Sequence, residues 1–340
     1  MKRLFIVLSI LISGTLIFAA PKSVEAQKVM DFFSSIYGKQ TVSGQMDLTW
    51  ADSVDMADRI FKDTGKYPVI MGYDFLNYTP KFGEGIMQVD EAINWYKGEY
   101  NYDKSYTGHK GGLVTFTWHW RAGREKQFYS NQTKFRIPFK DGKLDESASE
   151  YSQMKRQMDT IAKELKRLKD AGVPVLWRPL HEASGKWFWW GASGPEAYKA
   201  LWQFMYTYYT EEKGLDNLIW VWNGQNKDWY PGDEYVDITG EDIYANDHES
   251  QKKKYMECKA SSKGKKMVAL TECGRIPDPE KCTEDDVPWL YFMVWNDKTV
   301  SGAWTNEDFW SSEKVNSLEL KKKVYDSEKV ITLDEFKDLL

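Results

Sequence analysis

Eight short apolar runs divide this 340-residue chain, and most neighbouring runs are separated by a segment with helical character. The first run is QTVSGQ at residue 40, and the last is YFMVWN at residue 291. An alternation of this kind is typical of a parallel sheet whose strands are joined by helical crossovers. Because there are eight strand signals, the pattern predicts an α/β fold that closes into a single (β/α)8 TIM barrel, in preference to an open doubly wound sheet.

Helical segments can be bounded from apolar spacing and from Gly and Pro residues. An amphipathic helix is predicted over residues 22–37, a long helix over residues 147–171, and a third over residues 195–214, with proline in its first turn. The charged tail after residue 311 predicts a last helix and a short surface extension.

Polar and aromatic residues collect directly after the predicted strands. A core needs no polarity at these positions, whereas a barrel builds its active site at the C-terminal ends of its strands. The strand ends carry Gln45, Asp74, Trp118, His119, Trp120, His181, Glu182, Trp222, Asn223, Asp242, Tyr244, Glu272 and Trp295. The sequence therefore predicts a functional site at this face of the barrel.

Two glutamates stand out among these residues. Glu182 follows the apolar run VPVLW and precedes four consecutive aromatic residues, and Glu272 lies just past the run MVAL. Paired carboxyl groups are the minimum requirement of glycoside hydrolysis: one protonates the leaving oxygen, and the other attacks the anomeric carbon or activates water. Each glutamate could instead be an ion-pair partner, and the aromatic residues could be a buried cluster. The combination favours an enzyme that acts on sugars.

A family pattern is visible at these positions. The block RPLHEASGKWFWWG at residue 178 resembles the acid/base block of glycoside hydrolase family 26, and TECG at residue 271 resembles its nucleophile block. Further matches are MGYDF (71–75), FTWHW (116–120), GEDIY (240–244) and FMVWND (292–297), so the resemblance covers residues 28–310. It implies a retaining β-mannanase in which Glu182 is the acid/base and Glu272 is the nucleophile.

Other residues receive substrate-binding roles from the resemblance and from their positions. Tyr244 is expected to contact the nucleophile, and Arg178 is expected either to hold a carboxylate or to form a structural ion pair. At most one of Trp118 and Trp120 should line the cleft. The full predicted set is His119, His181, Trp187, Tyr244, Trp295, Trp118 and Arg178. We expect no metal and no cofactor.

The substrate class stays open in two respects. The same machinery serves β-1,4-mannan, which the resemblance favours, or β-1,3-1,4-glucan or β-1,3-xylan; a carbohydrate-binding protein without catalysis is a further alternative. Endo and exo action are not separated, because either of two long segments, residues 97–112 and 123–147, could block one end of a cleft.

The N-terminus and the charge indicate an exported protein. Lys2 and Arg3 precede an apolar run over residues 4–20, which is typical of a signal peptide, although an uncleaved anchor is the alternative. Val24-Glu25-Ala26 offers a cleavage site and Phe18-Ala19-Ala20 a poorer one, so we expect residues 1–26 to be a leader and residues 27–340 to be the catalytic domain. A secreted or periplasmic monomer follows, and the net charge of −5 excludes a nucleic-acid partner.

The chain has three cysteines, Cys258, Cys273 and Cys282, whose spacing fits no zinc site. Export allows one disulfide. The two candidate pairings are Cys273 with Cys282 and Cys258 with Cys273.

Overall fold

A computed structural model describes residues 21–48, 55–78, 88–106, 108, 111–298 and 308–336. Within them, eight strands form a closed barrel. Strands that are neighbours along the chain pair in parallel, and the last strand pairs with the first. The strands are β1 Gly44–Met46, β2 Ile70–Asp74, β3 Leu113–Thr117, β4 Val175–Arg178, β5 Leu218–Trp222, β6 Ile238–Ile243, β7 Met267–Cys273 and β8 Phe292–Val294. The predicted TIM barrel is confirmed.

Helices surround the barrel and join most of its strands. They are α1 Val24–Ile36, α2 Met56–Thr64, α3 Gln88–Lys97, α4 Ser149–Asp170, α5 Trp189–Ala192, α6 Pro195–Thr207, α7 Lys252–Ser261, α8 Pro279–Glu284 and α9 Leu318–Tyr325. The three predicted helices correspond to α1, α4 and α6. Two 3-10 turns, Lys227–Trp229 and Asp233–Tyr235, replace a helix between β5 and β6.

The sequence explains where these elements form. The barrel strands are buried along almost their whole length, as expected where a parallel sheet has side chains on one face and helices on the other. Helix α4 buries Met154, Met158, Ile161, Leu165 and Leu168, which recur at the spacing of one helical face. The core therefore lies inside the barrel and between the barrel and its helices.

The C-terminal tail, as described through residue 336, belongs to the folded unit and is not a surface extension. After α9, Val330–Ile331 pairs in parallel with Thr41–Val42, and Val42 bridges to Tyr291 just before β8. Leu333 and Phe336 are buried. The tail therefore packs near the N-terminal ends of β1 and β8, because its few apolar residues are buried there together.

The two long segments lie on opposite faces of the barrel. Residues 97–112 connect α3 to β3, and such helix-to-strand connections lie at the N-terminal face, away from a barrel active site. In its described part, Tyr100 and Tyr102 pack on Tyr67 and Trp95. Residues 123–147 connect β3 to α4 and lie at the opposite, C-terminal face. Only the second segment is placed to shape a cleft there.

The three cysteines, all within the described residues, carry free thiols, so neither of the two candidate disulfides is present. Cys258 and Cys273 are buried in one apolar cluster, and Cys282 packs against it. Burial raises the pKa of all three thiols, which keeps them protonated and chemically similar to small apolar side chains.

Residues just before Gln27 take part in the fold. Ser23 caps α1 by accepting a hydrogen bond from the Ala26 backbone N–H, and its own N–H donates to the Asp216 carbonyl at 2.9 Å. Lys22 Nζ pairs with Asp237 Oδ2 at 2.6 Å, with both side chains mostly buried. The predicted apolar leader run, residues 4–20, lies outside the described residues. No helix among the described residues is long and apolar enough to cross a bilayer.

These contacts predict that a chain beginning at Pro21 is more stable than one beginning at Gln27. The shorter chain loses the helix cap and the Lys22 ion pair, which together should lower the free energy of unfolding by about 1–3 kcal/mol. Urea denaturation of the two chains measures the difference. In the longer chain, Ser23→Ala should lower stability, whereas Ser34→Ala, at an exposed hydroxyl of the same helix, should have little effect. Equal stability of the two chains would contradict the prediction.

Candidate active site

The two predicted glutamates meet at the C-terminal face of the barrel, together with a third acid. Glu182 lies in the loop after β4, Glu272 is near the end of β7, and Asp242 is near the end of β6. One carboxylate oxygen from each lies within 4.8 Å of the other two. Asp242 was absent from the predicted site, although its position at a strand end was recognised.

Glu272 is held by two donors. Arg178 forms an ion pair with its Oε1, and the Tyr244 hydroxyl donates to its Oε2 at 2.8 Å. The Tyr244 side chain is 46% exposed, although its hydroxyl lies against Glu272. Burial of its hydroxyl and the neighbouring Glu272 raise the pKa of Tyr244, so it stays protonated and acts as a donor. The contact expected of Tyr244 is thus present.

Arg178 forms ion pairs with two acids. Its Nη1 donates to Asp242 Oδ2 at 3.0 Å, while Nη2 contacts Glu272, and its side chain is only 3% exposed. The residue therefore holds a carboxylate and also forms a buried ion pair, which were the two alternatives drawn from the sequence. Its charge compensates the negative charge that the acid cluster would otherwise concentrate in a buried site.

An irregularity in β7 explains how Thr271 and Glu272 both face this cluster. Adjacent residues of a regular strand point to opposite faces, but the pairing of β7 with β6 shifts between Leu270 and Glu272. Thr271 Oγ1 can therefore donate to Asp242 Oδ1 at 2.6 Å while Glu272 contacts Arg178. Gly240 leaves space for this arrangement, because a Cβ there would lie 2.3 Å from Thr271 Cγ2.

Glu182 lies in a constrained turn. Strand β4 ends at Arg178, so the two residues meet through the turn, and the argument that they share one face of a strand does not apply. Leu180 and Glu182 have φ angles of 53° and 52°, in the left-handed region that few non-glycine residues adopt. The Glu182 N–H donates to the backbone carbonyl and side-chain oxygen of Asn223, which stabilises the turn.

The surroundings of Glu182 favour its protonated form. Burial is the main cause of a pKa raised above the ordinary carboxyl range, and the charges of Asp242 and Glu272 raise it further. Trp187 Nε1 donates to Glu182 Oε2 at 2.9 Å, and Trp187 is 44% exposed. The carboxyl group can therefore carry a proton at neutral pH beside an accessible indole.

His119, His181 and Trp295 pack together beside the acid cluster, and His181 is buried, at 1% exposure. Asp74 accepts hydrogen bonds from the His119 backbone N–H at 3.0 Å and contacts His119 Nδ1 at 2.5 Å, which fixes the ring. The ring of His181 lies 4.6 Å from that of His119, and the Trp295 ring lies 5.9 Å from it. Burial is the main cause that lowers the pKa of His181, so this histidine is neutral at ordinary pH.

Trp118 does not line the cleft, and its predicted role is wrong. It is 1% exposed and stacks on Trp120, with ring centroids 4.0 Å apart. Trp120 in turn packs against Trp189, so the residues on either side of His119 face the core. The sequence could not show this, because an indole at a strand end suits either environment.

The segment over residues 123–147 completes the wall next to Trp187. Its Ser130 N–H donates to the Trp187 carbonyl, and its Phe128 carbonyl accepts from the Trp189 N–H. Phe128 lies 5.1 Å from the His119 ring. Asp74 and Phe128, like Asp242, are site residues that the predicted set omitted. Asp74 and Asp242 could have been found by including every acid at a strand end, but nothing local distinguishes Phe128.

The raised pKa of Glu182 predicts a stability cost that Glu182→Gln should remove. Above pH about 4.3 the unfolded chain loses this proton while the folded chain keeps it, so folding takes up a proton and stability falls as the pH rises. Glutamine stays neutral. The free energy of unfolding of the variant should match that of the parent near pH 4. It should exceed the parent value by about 1.4 kcal/mol or more near pH 7.5, which corresponds to one unit of pKa shift or more.

Chemical denaturation at the two pH values measures this difference. Glu257→Gln is the matched control, because that carboxylate is 53% exposed on α7, and its variant should show no comparable change with pH. A Glu182→Gln variant that is less stable than the parent at both pH values would contradict the electrostatic argument.

Comparisons with known proteins support the resemblance to glycoside hydrolase family 26. The sequence model of glycosyl hydrolase family 26 matches residues 19–335. A mannan endo-1,4-beta-mannosidase of Thermothelomyces thermophilus is 38% identical over 323 residues, which cover 91% of this chain and 61% of that protein. Mannan endo-1,4-beta-mannosidase A of a Piromyces species is 38% identical over 292 residues, which cover 82% of this chain and 45% of that protein.

Solved structures of similar proteins have the same fold. The crystal structure of a Podospora anserina GH26-CBM35 beta-(1,4)-mannanase superposes with a TM-score of 0.81 at 36% identity, covering 94% of this chain and 68% of that one. The structure of a beta-mannanase from a symbiotic protist of the termite Reticulitermes speratus, complexed with gluco-manno-oligosaccharide, superposes with a TM-score of 0.80 at 34% identity. The match covers 93% of this chain and 96% of that one. This chain spans about half to three fifths of the length of the curated relatives named above. Because the family model matches nearly the whole chain, the chain belongs to glycosyl hydrolase family 26.

Proposed function

We propose that this protein is a retaining glycoside hydrolase that cleaves β-1,4-mannosidic linkages in mannan, glucomannan or galactomannan. The observation that carries the proposal is the pair Glu182 and Glu272, whose nearest carboxylate oxygens lie within 4.8 Å at the C-terminal face of the barrel. Retaining enzymes place the two carboxyl groups about 5–5.5 Å apart, whereas inverting enzymes separate them by about 6.5–9.5 Å to admit water. The short separation favours double displacement.

In the first step, a Glu272 oxygen attacks the anomeric carbon while the bond to the leaving sugar breaks. Glu182 gives its proton to the departing oxygen, so the leaving sugar departs as a neutral alcohol and Glu272 becomes a glycosyl ester. Arg178 and Tyr244 hold Glu272 in a fixed orientation for the attack. The raised pKa of Glu182 keeps the required proton in place.

In the second step, the deprotonated Glu182 takes a proton from water as the water oxygen attacks the anomeric carbon. The ester bond breaks, the Glu272 carboxylate is released, and Glu182 is protonated again. Two inversions leave the product with the configuration of the substrate. His119 and Trp295 lie beside the acid cluster and are the groups proposed to bind the sugar, and the buried His181 packs against the His119 ring.

The proposed substrate rests on the relatives, several of which are named mannan endo-1,4-beta-mannosidases. The runner-up substrates are β-1,3-1,4-glucan and β-1,3-xylan, because the loops rather than the catalytic acids select the sugar. A carbohydrate-binding protein without catalysis is disfavoured by the presence of both acids. We propose endo action, in line with the names of the relatives. The segment over residues 97–112, which could have blocked one end of the cleft, connects α3 to β3 and so belongs to the face of the barrel opposite the acids.

We also propose that the protein is a secreted or periplasmic monomer with a polysaccharide partner. The basic start and the apolar run support export, and the sequence alone predicts a leader over residues 1–26 and a catalytic domain over residues 27–340. The contacts of Lys22 and Ser23 with the barrel favour the alternative cleavage site at Ala20, which would leave both residues in the mature chain.

The two acids should respond differently to the leaving group. Glu272→Ala should remove nearly all hydrolysis with any substrate. Glu182→Ala should lose polysaccharide cleavage but keep part of the glycosylation step with aryl mannosides, because a good leaving group needs little protonation. Burst and steady-state release of a series of substituted phenols measures this contrast. Identical responses of both variants would show that the roles are misassigned.

The stereochemistry gives a separate check of the same mechanism. Proton NMR during early hydrolysis by the parent enzyme should show the β-anomer as the first product, before mutarotation. First formation of the α-anomer would rule out double displacement.

Substrate choice should follow the axial 2-hydroxyl of mannose. A site that hydrogen-bonds this group penalises the equatorial epimer strongly, because its own polar groups then lose their partner. We expect release of reducing ends from β-1,4-mannan, glucomannan and galactomannan, with cellulose and β-1,4-xylan left largely intact. The Glu272→Ala variant is the control for contaminating activity. Faster release from mixed-linkage β-glucan or β-1,3-xylan than from mannan would support the runner-up while leaving the catalytic acids unchanged.

A further inference from the structure

Asp242 is a buried acid that the proposed reaction does not use directly. Its side chain has no exposed surface, yet it lies within 4.8 Å of a carboxylate oxygen of both Glu182 and Glu272. Its two oxygens have different partners: Thr271 Oγ1 donates to Oδ1 at 2.6 Å, and Arg178 Nη1 donates to Oδ2 at 3.0 Å. A third acid this close to two catalytic acids raises the cost of burying their charges, so its presence calls for a function.

The hydrogen bonds of Asp242 fix the position of Arg178. One guanidinium nitrogen contacts Asp242 and the other contacts Glu272, so the planar group is held between β6 and β7. When Glu272 becomes an ester in the first step, it loses its negative charge. Asp242 then remains as the charged partner of Arg178 and can hold the guanidinium until the ester is hydrolysed.

We propose that Asp242 is a positioning residue that fixes Arg178 against Glu272 and keeps a negative charge beside Glu182 through both steps of the reaction. The proposal deepens the proposed function and rests on it. It assigns no covalent step to Asp242, and it requires the acid to be ionised when the glycosyl ester is present.

The electrostatics of the cluster agree with this role. Burial is the largest cause of the raised pKa of Glu182, and the charge of Asp242 raises this pKa more than the charge of Glu272 does. Burial also raises the pKa of Asp242, while Arg178 and hydrogen bonds with Thr271 and Glu182 stabilise its charged form and Glu272 opposes it. Esterification of Glu272 would remove that opposition. Among the described residues, the other groups that interact electrostatically with the cluster are Tyr244, Cys273, Tyr291, His181, Glu241 and Cys258.

Glu241 provides a matched control on the same strand. It is the residue before Asp242, it is also buried, and burial also raises its pKa. Its side chain points the other way, and its Oε1 accepts from Lys254 Nζ of α7 at 3.3 Å. Neutralising Glu241 therefore removes a buried carboxylate of β6 without changing the contacts of Arg178.

The test compares Asp242→Asn with Glu241→Gln in the full chain acting on mannan. Asp242→Asn should lower kcat by about tenfold to a hundredfold, the effect of losing a hydrogen bond to a charged group, with little change in KM. Without the neighbouring charge Glu182 loses its proton more easily, so the basic limb of the kcat/KM profile should move to lower pH by about one unit or more. Glu241→Gln should keep the parent profile.

Thr271→Val is a second, milder variant. It keeps the size of the side chain but removes the donor to Asp242, which makes Asp242 less ionised at a given pH. The basic limb should then move in the same direction by a smaller amount. If neither variant moves the basic limb, or if Glu241→Gln moves it as far as Asp242→Asn does, the proposal is overturned.

A readout without turnover separates this proposal from the proposed function. Carboxyl-labelled glutamate allows the Glu182 resonance to be titrated by carbon NMR in the parent and in Asp242→Asn, with Glu182→Gln used for assignment. Titration at lower pH in Asp242→Asn supports the role even if mannan is not the substrate. An unchanged titration overturns the role even if the parent enzyme hydrolyses mannan.

Discussion

The buried ion pair of Arg178 with Asp242 and Glu272 is the interaction on which the site depends. A carboxylate removed from water without a partner shifts its pKa and takes up a proton, whereas the nucleophile of the proposed mechanism must carry a charge. The guanidinium is always charged, and its planar donors reach both acids from the end of β4. In the proposed mechanism, this one cation allows the charged nucleophile to lie next to the acid that donates a proton.

Departures from regular strand geometry bring these side chains together. The register shift in β7 turns Thr271 and Glu272 to the same face, and left-handed backbone at Leu180 and Glu182 turns the loop after β4 back over the barrel. Both features cost conformational energy. They are maintained by hydrogen bonds to neighbouring segments of the barrel, such as the bonds from the Glu182 N–H to Asn223, which directly follows β5. The closed barrel therefore supplies the rigidity that the site needs.

The aromatic residues serve both the core and the cleft. Trp118, Trp120, Trp189 and Trp190 are buried and pack on one another beneath the site, which fixes the strands and loops that carry the histidines and Glu182. Trp187 belongs to the same aromatic run but is exposed beside Glu182. The aromatic run next to the proposed acid/base therefore combines a structural support with a surface suited to a sugar ring.

The sequence by itself determined the barrel, because eight apolar runs and the helical spacing of residues such as those in α4 are local patterns that the fold preserves. It also located Glu182 and Glu272, since strand ends meet at one face of any such barrel. Only the tertiary structure decided that Trp118 is buried, that the cysteines stay unpaired and that Asp242 shares Arg178 with Glu272. Burial, bonding partners and charge environment depend on neighbours that are distant in the chain, and no local pattern records them.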